Sequence, residues 1–309
     1  MDGSCCAPGS DRADLAVEHF SSGLPPETLV ELPGGTFTMG DESAWAYPGD
    51  GEGPVHDVEI SAFSIDRFTL TNAAYASFVD ATGHVSAAEH FGWSFVFGGS
   101  LPDEFPDTAG VVGAEWWRQV YGADWRHPEG PQSDIIGRSD HPVVHVSWAD
   151  AQAYCSWSGT RLPNEAEWEY SARAGGDTPF PWGEELEPNG QHRMNVFQGR
   201  FPGENTLADG FAGTAPVDAY EPNSFGLYNM TGNVWEWCAD WFDPAYYAVS
   251  PRTNPAGPSG GTHRVMRGGS YLCHQSYCRR YRVSARQGSE PGSSTSNAGF
   301  RVAADPPGD

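Results

Sequence analysis

The stretch Arg267-Gly-Gly-Ser-Tyr-Leu-Cys-His-Gln-Ser-Tyr-Cys-Arg-Arg-Tyr281 is the most informative part of this 309-residue chain. It places two cysteines, Cys273 and Cys278, five positions apart, and thiolates are soft metal ligands and strong nucleophiles. The two preceding glycines let the backbone turn sharply and approach another surface. Three basic residues that would stabilise thiolate charge follow: Arg279, Arg280 and Arg282. A local disulfide or two inert buried thiols would give the same pattern, so both interpretations stay open here.

The composition indicates a folded protein with much irregular backbone. Glycine (38 residues) and proline (25 residues) make up about a fifth of the chain, below the roughly 25–30% typical of low-complexity disorder. Aromatic residues account for 13%, which is enough for a hydrophobic core. Because no segment reads as a linker, we predict a mobile N-terminal tail over residues 1–26 and a single domain over residues 27–309.

The net charge of the chain limits the classes of molecule that it is expected to bind. Acidic residues (41) outnumber basic ones (17), giving a net charge of -24. Such a surface repels phosphate, so we do not expect nucleic acid as a partner. A peptide that carries an arginine would be attracted to it. The simpler explanation of the excess negative charge is that it keeps the protein soluble. No run approaches the roughly 18 apolar residues of a membrane span, so no membrane partner is expected.

Cysteine usage favours a reducing setting. The N-terminus shows no basic segment followed by an apolar one, as a secretory signal would, so we expect a cytoplasmic protein. In that setting paired cysteines are more often catalytic or metal-binding than structural. Cys5 and Cys6 fall in the predicted tail, where an inert role is favoured.

Local patterns predict an α+β protein with few helices and short strands. Caps and apolar periodicity predict helices after Thr71 or Asn72, after Ser147 and after Asn164. Residues 28–41 predict a hairpin that turns at Pro33-Gly-Gly35. Residues 84–140 show little periodicity and indicate a functional loop system.

Two segments gather oxygen donors of the kind that calcium prefers, although ordinary turns or aromatic packing also explain them. They are residues 195–211 and 229–241, the second including Asn229 and Glu236. His141 and His145 have a zinc-like spacing, but the intervening Pro142 excludes a helix, so a metal role there is disfavoured.

Further motifs make the chain similar to a known family. Besides residues 267–278, they are Leu32-Pro-Gly-Gly-Thr-Phe-Thr-Met-Gly40, His141-Pro-Val-Val-His-Val-Ser-Trp148, Arg161-Leu-Pro-Asn-Glu-Ala-Glu-Trp-Glu-Tyr170, Gly226-Leu-Tyr-Asn-Met-Thr-Gly-Asn-Val-Trp-Glu-Trp237 and Gly299-Phe-Arg-Val-Ala-Ala-Asp305. Together they resemble the formylglycine-generating enzymes, or sulfatase-modifying factors, over nearly everything except the tail. The resemblance implies a heavily looped variant of the C-type-lectin-like fold with low regular secondary structure.

The resemblance also implies an activity. Such enzymes use O2 to oxidise the cysteine of a Cys-x-Pro-x-Arg segment, in an unfolded sulfatase polypeptide or peptide, to Cα-formylglycine. Carried over by position, Cys273 and Cys278 hold Cu(I), and the substrate thiol is a third sulfur ligand. Four further residues would line the oxygen and substrate pocket: Ser270, Tyr277, Trp235 and Asn297.

Two structural calcium ions are implied in the same way. The first set of ligands is Asn195, Val196, Asp209 and Phe211, and the second is Asn229, Gly232, Val234 and Glu236. Where secreted members of the family carry extra cysteines, this chain has Val283 and Val302, so Cys155 is predicted to be a buried thiol. Glu89 is our candidate for binding the substrate arginine, and a monomer is the default expectation.

Two other functions compete with this one. A non-catalytic lectin-like module that binds peptide or glycan would need the fold and the calcium but not the thiols. A related non-haem iron oxygenase, which transfers sulfur to histidine derivatives, would need a separate helical module with an iron-binding histidine triad. The chain has neither the length nor a helical run for such a module.

Overall fold

The computed structural model describes residues 6–10, 12–21 and 23–306, in which short elements are joined by long loops. The helices of this part are α1 (Asn72–Thr82), α2 (Ala87–Phe91), α3 (Trp148–Ser158) and α4 (Glu165–Arg173). The strands are β1 (Leu29–Leu32), β2 (Gly35–Met39), β3 (His56–Ile60), β4 (Phe63–Asp66), β5 (Trp93–Phe97), β6 (Gly110–Val111), β7 (Ala114–Tyr121), β8 (Gly199–Arg200), β9 (Glu204–Asn205), β10 (Trp235–Trp241), β11 (Arg264–Arg267), β12 (Arg286–Ser289), β13 (Ala298–Gly299) and β14 (Ala303–Ala304). Among the described residues, no helix has the length and apolar character that a bilayer span requires.

The helix starts follow the sequence prediction. Thr71 caps α1 by accepting the Ala74 N–H, and Gly83 ends that helix in the left-handed region. Ser147 and Asn164 cap α3 and α4, each within a reciprocal capping box. The agreement arises because a cap is a contact within four residues of chain, which local sequence specifies well.

The predicted hairpin over residues 28–41 is wrong. β1 pairs with β4, whereas β2 pairs with β3 in a separate two-stranded sheet. A Cβ on Gly34 would lie 2.3 Å from the Ile60 carbonyl oxygen, so the turn passes close to β3's end instead of closing on itself. The alternation was correct for strands, but the partner of each strand is distant in sequence.

Residues 84–140 are more regular than their sequence suggested. They contain α2 and an antiparallel sheet in the order β5-β7-β6. Large apolar side chains occur on both faces of these strands, because Phe95, Val96 and Phe97 are all buried. Because both faces are buried, the sequence of these strands does not alternate between apolar and polar residues, and the sheet could not be recognised from that pattern.

A four-stranded sheet in the order β12-β11-β10-β13 leads into the cysteine-containing loop. β10 is antiparallel to β11 and parallel to β13. Both faces of β10 are buried, since Glu236 is buried along with Trp235 and Trp237 on either side. A charge is tolerated there because both Glu236 oxygens bind the Arg301 guanidinium, at 2.6 and 2.7 Å.

Five arginines of the C-terminal third are fully buried and paired with carboxylates. They are Arg267, Arg280, Arg282, Arg286 and Arg301. Arg286 makes a two-point contact with Glu165, at 2.6 and 2.8 Å, and Arg282 contacts Glu52 at 2.7 Å. These pairs connect the C-terminal loops to α4 and to the loop near residue 50, which are far away in sequence.

The Arg286–Glu165 pair gives a test of this framework. Replacing Arg286 with Met would leave Glu165 buried without its two-point partner, and we expect the free energy of unfolding to fall by about 3 kcal/mol. Urea titration followed by fluorescence measures the change. The control is R200M, because Arg200 and its partner Glu204 are exposed on the surface. An exposed pair contributes about 0–1 kcal/mol, so equal losses in the two variants would contradict the prediction.

Candidate active site

Backbone turns bring the two cysteines of the loop together. A Cβ on Gly269, whose φ is +74°, would lie 2.7 Å from the Arg280 carbonyl oxygen, so only glycine permits this approach. Within the loop, the Cys278 N–H donates to the His274 carbonyl at 2.7 Å. These two contacts fix the loop at Gly269 and at Cys278, and the side chains of Cys273 and Cys278 point towards each other.

The thiol pair, Cys273 and Cys278, has its sulfur atoms 3.2 Å apart. This separation exceeds the S–S bond length of about 2.05 Å, so the two cysteines are thiols and not a disulfide. Both are buried, with exposed fractions of 1% and 0%. Across the described residues, no group of three or more His, Cys, Asp or Glu side chains is arranged around a common metal position. Two thiolates are nevertheless a donor set that suits Cu(I).

Three of the four predicted pocket residues lie at the thiol pair. The Ser270 N–H donates to the Cys273 sulfur at 3.4 Å, and the Asn297 amide donates to the Ser270 hydroxyl at 2.9 Å. Trp235 belongs to the same buried cluster as both cysteines, and its backbone N–H donates to the Asn297 carbonyl at 2.8 Å. The structure thus combines hydrogen-bonding groups with an apolar wall.

The fourth residue, Tyr277, lies at the partly exposed edge of the loop. Its ring stacks on Phe201 with centroids 4.3 Å apart and contacts Trp116 edge-on at 4.9 Å. This places Tyr277 in an aromatic patch contributed by the neighbouring loop and β7. Its assignment to the oxygen and substrate pocket stays a prediction.

The two thiols differ in acidity. Burial raises the pKa of both; for Cys273 the raised pKa persists, because its S–H hydrogen-bonds to Cys278. For Cys278, hydrogen bonds from Cys273 and Cys6 and the positive charge of Arg280 outweigh burial, so its pKa lies well below the usual value. Of the two thiols, Cys278 is therefore the one that ionises first.

Arg280 is the basic residue that faces the thiol pair. Its guanidinium lies 4.0 Å from the Cys278 sulfur and also binds Asp50, with an N–O distance of 3.0 Å. Arg279 instead lies over the Trp45 ring, and Arg282 binds Glu52. Of the three arginines expected to stabilise thiolate charge, the structure places only Arg280 in that position.

A third sulfur, that of Cys6, lies 2.8 Å from the Cys278 sulfur. Cys6 and the following Ala7 and Pro8 are buried in the core of the site. We favoured an inert role for the first two cysteines, and for Cys6 that interpretation is not supported, because its side chain contacts the thiol pair. Cys5 lies outside the described residues. The mobility predicted for residues 1–26 stays a prediction.

The first predicted calcium set is assembled around Asp209. The N–H groups of Val196 and Phe211 donate to its two carboxylate oxygens, at 3.1 and 3.2 Å. Burial raises the pKa of Asp209 in spite of these hydrogen bonds. Asn195 is adjacent in sequence to Val196, and its side chain amide donates to the Gly213 carbonyl. The Asp209 carboxylate is half-buried, and it could contact a calcium ion through the lone pairs that these N–H groups leave unused.

The second predicted calcium set fits less completely. The side-chain oxygen of Asn229 is buried without a hydrogen-bond partner among the described residues, as a vacant ligand would be. Both oxygens of Glu236, however, bind Arg301, and one also accepts the Trp168 N–H at 2.8 Å. Glu236 could contact an ion only through its remaining lone pairs. Two backbone positions complete the predicted set: Gly232 and Val234.

Two other candidates occupy structural positions. Glu89 completes the capping box of α2, binding Ser86 through one oxygen and Arg126 through the other at 2.9 Å, so its role in substrate binding stays a prediction. His145 is fully buried, and its two ring nitrogens contact the Ser94 hydroxyl and the Pro128 carbonyl. Burial lowers the pKa of His145 to about 4, which keeps the ring neutral. The histidine spacing therefore has a structural explanation.

The fold and the thiol pair define a sulfatase-modifying-factor type of protein, and sequence comparison agrees. Residues 17–306 match the family described as Sulfatase-modifying factor enzyme 1-like domain. The chain is 57% identical over 294 residues to the formylglycine-generating enzyme of Streptomyces coelicolor, covering 94% of each protein. It is 52% identical over 309 residues to that of Mus musculus, covering 98% of this chain and 82% of the relative. This chain belongs to the formylglycine-generating enzyme family.

Structure comparison supports the same fold. The solved structure of PvdO from Pseudomonas aeruginosa matches with a TM-score of 0.64 and 27% identity, covering 95% of this chain and 100% of that one. The family resemblance and the predicted fold class are thus confirmed. A Bos taurus relative that is 42% identical over 290 residues, covering 91% of this chain and 90% of the relative, is named an inactive formylglycine-generating enzyme 2. The relatives named as formylglycine-generating enzymes share more of this chain's sequence, at 57, 56 and 52% identity, and the prediction of an enzyme is confirmed.

Titration of the metal-free protein tests the assigned thiolate. We expect ultraviolet thiolate absorbance from one cysteine to be present at neutral pH, because the pKa of Cys278 is lowered. Replacing Cys278 with Ser should remove this signal, and R280Q should move its titration to higher pH. The matched control is C155S, because burial raises the pKa of Cys155 to about 12 and it carries no charge at neutral pH. Absence of any thiolate below pH 8 in the unaltered chain would contradict the assignment.

Proposed function

We propose that this protein converts a cysteine of a sulfatase polypeptide to Cα-formylglycine with O2, using Cu(I) bound by Cys273 and Cys278. The observation that carries the proposal is the thiol pair itself, with sulfur atoms 3.2 Å apart beside one cationic group, Arg280. A lectin-like binding module has no need for two buried thiols in contact. The names of the relatives support the same activity.

The overall reaction balances with a thiol as the second reductant. The thiol-bearing methylene group of the substrate cysteine becomes an aldehyde and gives up two electrons, while its sulfur leaves as hydrogen sulfide. Two further electrons come from two molecules of an external thiol, which form a disulfide. O2 accepts all four electrons and becomes two water molecules, and one water molecule supplies the aldehyde oxygen as sulfide leaves.

The residues of the site fit the metal and the substrate thiol. Copper, when bound, supplies the means of reacting with O2 that protein side chains lack. Cys278 is the more acidic of the two thiols, so it would lose its proton the more readily when the metal binds. Burial beside Trp235 excludes water, which protects reactive intermediates. The hydrogen-bonded Ser270 and Asn297 offer polar contacts to the substrate backbone.

Structural calcium is part of the proposal at both predicted sets. Asp209 would contribute charge in the first set, and the vacant side-chain oxygen of Asn229 would contribute to the second. A Cβ on Gly232 would lie 2.6 Å from the Asn195 carbonyl, so the two segments are in direct contact. Bound cations would fix this pair of loops behind the thiol loop.

We also propose a cytoplasmic setting and a monomeric protein. Support for a reducing setting comes from Cys155 and Cys238, which are buried thiols without a disulfide. The acidic surface, with a net charge of -24, suits substrates that carry arginine.

Turnover of a peptide tests the proposed activity. Protein loaded with Cu(I), O2 and a thiol reductant should convert the cysteine of a Cys-x-Pro-x-Arg peptide to the aldehyde product, detected by mass spectrometry. We expect C273S and C278S each to reduce the rate by at least about a thousandfold, because each removes a metal ligand. The control is C155S, a buried thiol that takes no part in the site. Turnover by C273S at the unaltered rate would rule out the proposal.

Calcium binding is tested by thermal unfolding of chelator-treated protein. Calcium at a hundredfold excess over its Kd should stabilise each occupied site by about 2.7 kcal/mol, which raises Tm. Replacing Asp209 with Asn should remove most of the first site's share, because the amide carries no charge. The control is D103N, since Asp103 is exposed and lies outside both sets. An equal calcium-dependent rise in Tm for all three proteins would exclude Asp209 as a ligand.

A further inference from the structure

The N-terminal segment, residues 6–10, is held in the site by specific contacts. The Asn297 amide donates to the Cys6 carbonyl at 2.9 Å, and the Ser293 hydroxyl donates to the Pro8 carbonyl at 2.6 Å. A Cβ on Gly9 would lie 2.9 Å from the Glu290 carboxylate, so the backbone passes close to the wall of the site. These contacts run along one edge of the C-terminal loop and fix the direction of the segment.

Contacts with the same part of the chain continue beyond residues 6–10, at Arg12. Arg12 donates to the Ser294 hydroxyl at 2.9 Å, and its guanidinium lies 3.7 Å from the centre of the Trp93 ring. A surface cleft of about 510 Å³ borders Ala7 and Gly9 on one side and Glu290 on the other. Cys6, Pro8 and Arg12 therefore all contact residues 293–297, and the cleft lies beside these contacts.

The sequence of the segment resembles the peptide that the site is proposed to modify. Cys6-Ala-Pro-Gly-Ser10 has the cysteine and the proline of Cys-x-Pro-x-Arg at the same spacing. It departs from the pattern at the last position, where Ser10 replaces arginine, and the first arginine follows two residues later. The family match begins at residue 17, so this segment lies outside the matched region.

Cys6 also lies where the thiol of a substrate peptide is expected to lie. Its sulfur is 2.8 Å from Cys278 and its backbone is held by Asn297, a residue expected to contact substrate. Cys6 and Ala7 are both buried, and Cys6 covers the pair through its contact with Cys278. An external peptide cannot place its thiol there while Cys6 occupies the position, since two sulfur atoms cannot share one space.

We propose that residues 6–10 are an internal pseudosubstrate, which occupies the peptide-binding groove with Cys6 in the place of the substrate thiol. The inference rests on the proposed function for the identity of the competing peptide. The segment must leave before a sulfatase peptide binds, so docking lowers the apparent affinity for that peptide. A tethered segment acts at an effective concentration in the millimolar range, and weak intrinsic binding therefore suffices.

The test uses the complete chain with a substitution that the docked position cannot accept. Replacing Ala7 with Glu puts a charge into a buried position near Asp50 and Glu290, so the segment should leave the groove. The control is A16E, the same substitution at an exposed position of the same tail. Neither residue belongs to the proposed catalytic machinery.

The first measurement needs no substrate and no metal. Alkylation of Cys273 and Cys278, followed by peptide mapping, should be at least about tenfold faster in A7E than in the unaltered chain and A16E. The reason is that removal of the segment uncovers the thiols, as local opening does. Equal alkylation rates in all three proteins would show that the segment does not cover the pair and would overturn the proposal.

The second measurement is binding of a fluorescent Cys-x-Pro-x-Arg peptide to metal-free protein without oxygen. The Kd of A7E should be at least about tenfold lower than those of the unaltered chain and A16E, and a synthetic peptide of residues 6–16 should displace the probe from A7E. Equal Kd values, or no displacement, would overturn the proposal. Because neither measurement involves turnover, a failed oxidation assay would refute the proposed function while leaving these results readable.

Discussion

Buried arginine–carboxylate pairing is the interaction on which the rest of this structure depends. Regular elements are short, and long loops have to be fixed by something other than strand ladders. Arg282 binds Glu52, Arg286 binds Glu165 and Arg301 binds Glu236, all with little or no exposure. Removing one partner would leave an uncompensated charge in the core, which costs far more than an exposed pair is worth. The pairs thus specify which loops meet.

In the active site, a buried arginine–carboxylate pair places a positive charge beside the thiols. Arg280 is tied to Asp50 and turns its other nitrogen towards sulfur, so its charge is fixed in place before any ligand arrives. Charge that is fixed in advance needs no reorganisation when a thiolate forms. The network that holds the loops together therefore also sets the acidity of Cys278, which connects stability to chemistry through a single side chain.

The sequence predicted local features well and distant contacts poorly. Thr71, Ser147 and Asn164 were recognisable as caps, and Cys273 and Cys278 were recognisable as a pair, because each pattern spans a few residues. The Arg280–Asp50 contact joins positions 230 residues apart, and no local rule indicates it. The hairpin failed for the same reason, since turn chemistry was correct but the strand partners were distant. The docking of Cys6 was missed because the tail has no periodicity, although its Cys-x-Pro spacing was a usable signal.

These features together describe a site that is assembled, charged and covered by its own chain. The thiol pair supplies the ligands, Arg280 supplies the compensating charge, and residues 6–10 fill the approach. Calcium at the neighbouring loops would hold the surface behind the site. A sulfatase peptide then reaches the thiol pair only when residues 6–10 leave it, so release and return of this segment accompany each catalytic cycle.

The central claim is that Cys273 and Cys278 bind one Cu(I), and a competition titration tests it most directly. Bicinchoninate, a coloured Cu(I) chelator, is titrated against protein carrying C6S, so that the third sulfur cannot contribute. The account predicts that one Cu(I) per chain is withheld from the chelator, and that C273A and C278A in the same background abolish this retention. Equal copper retention in all three proteins would contradict it.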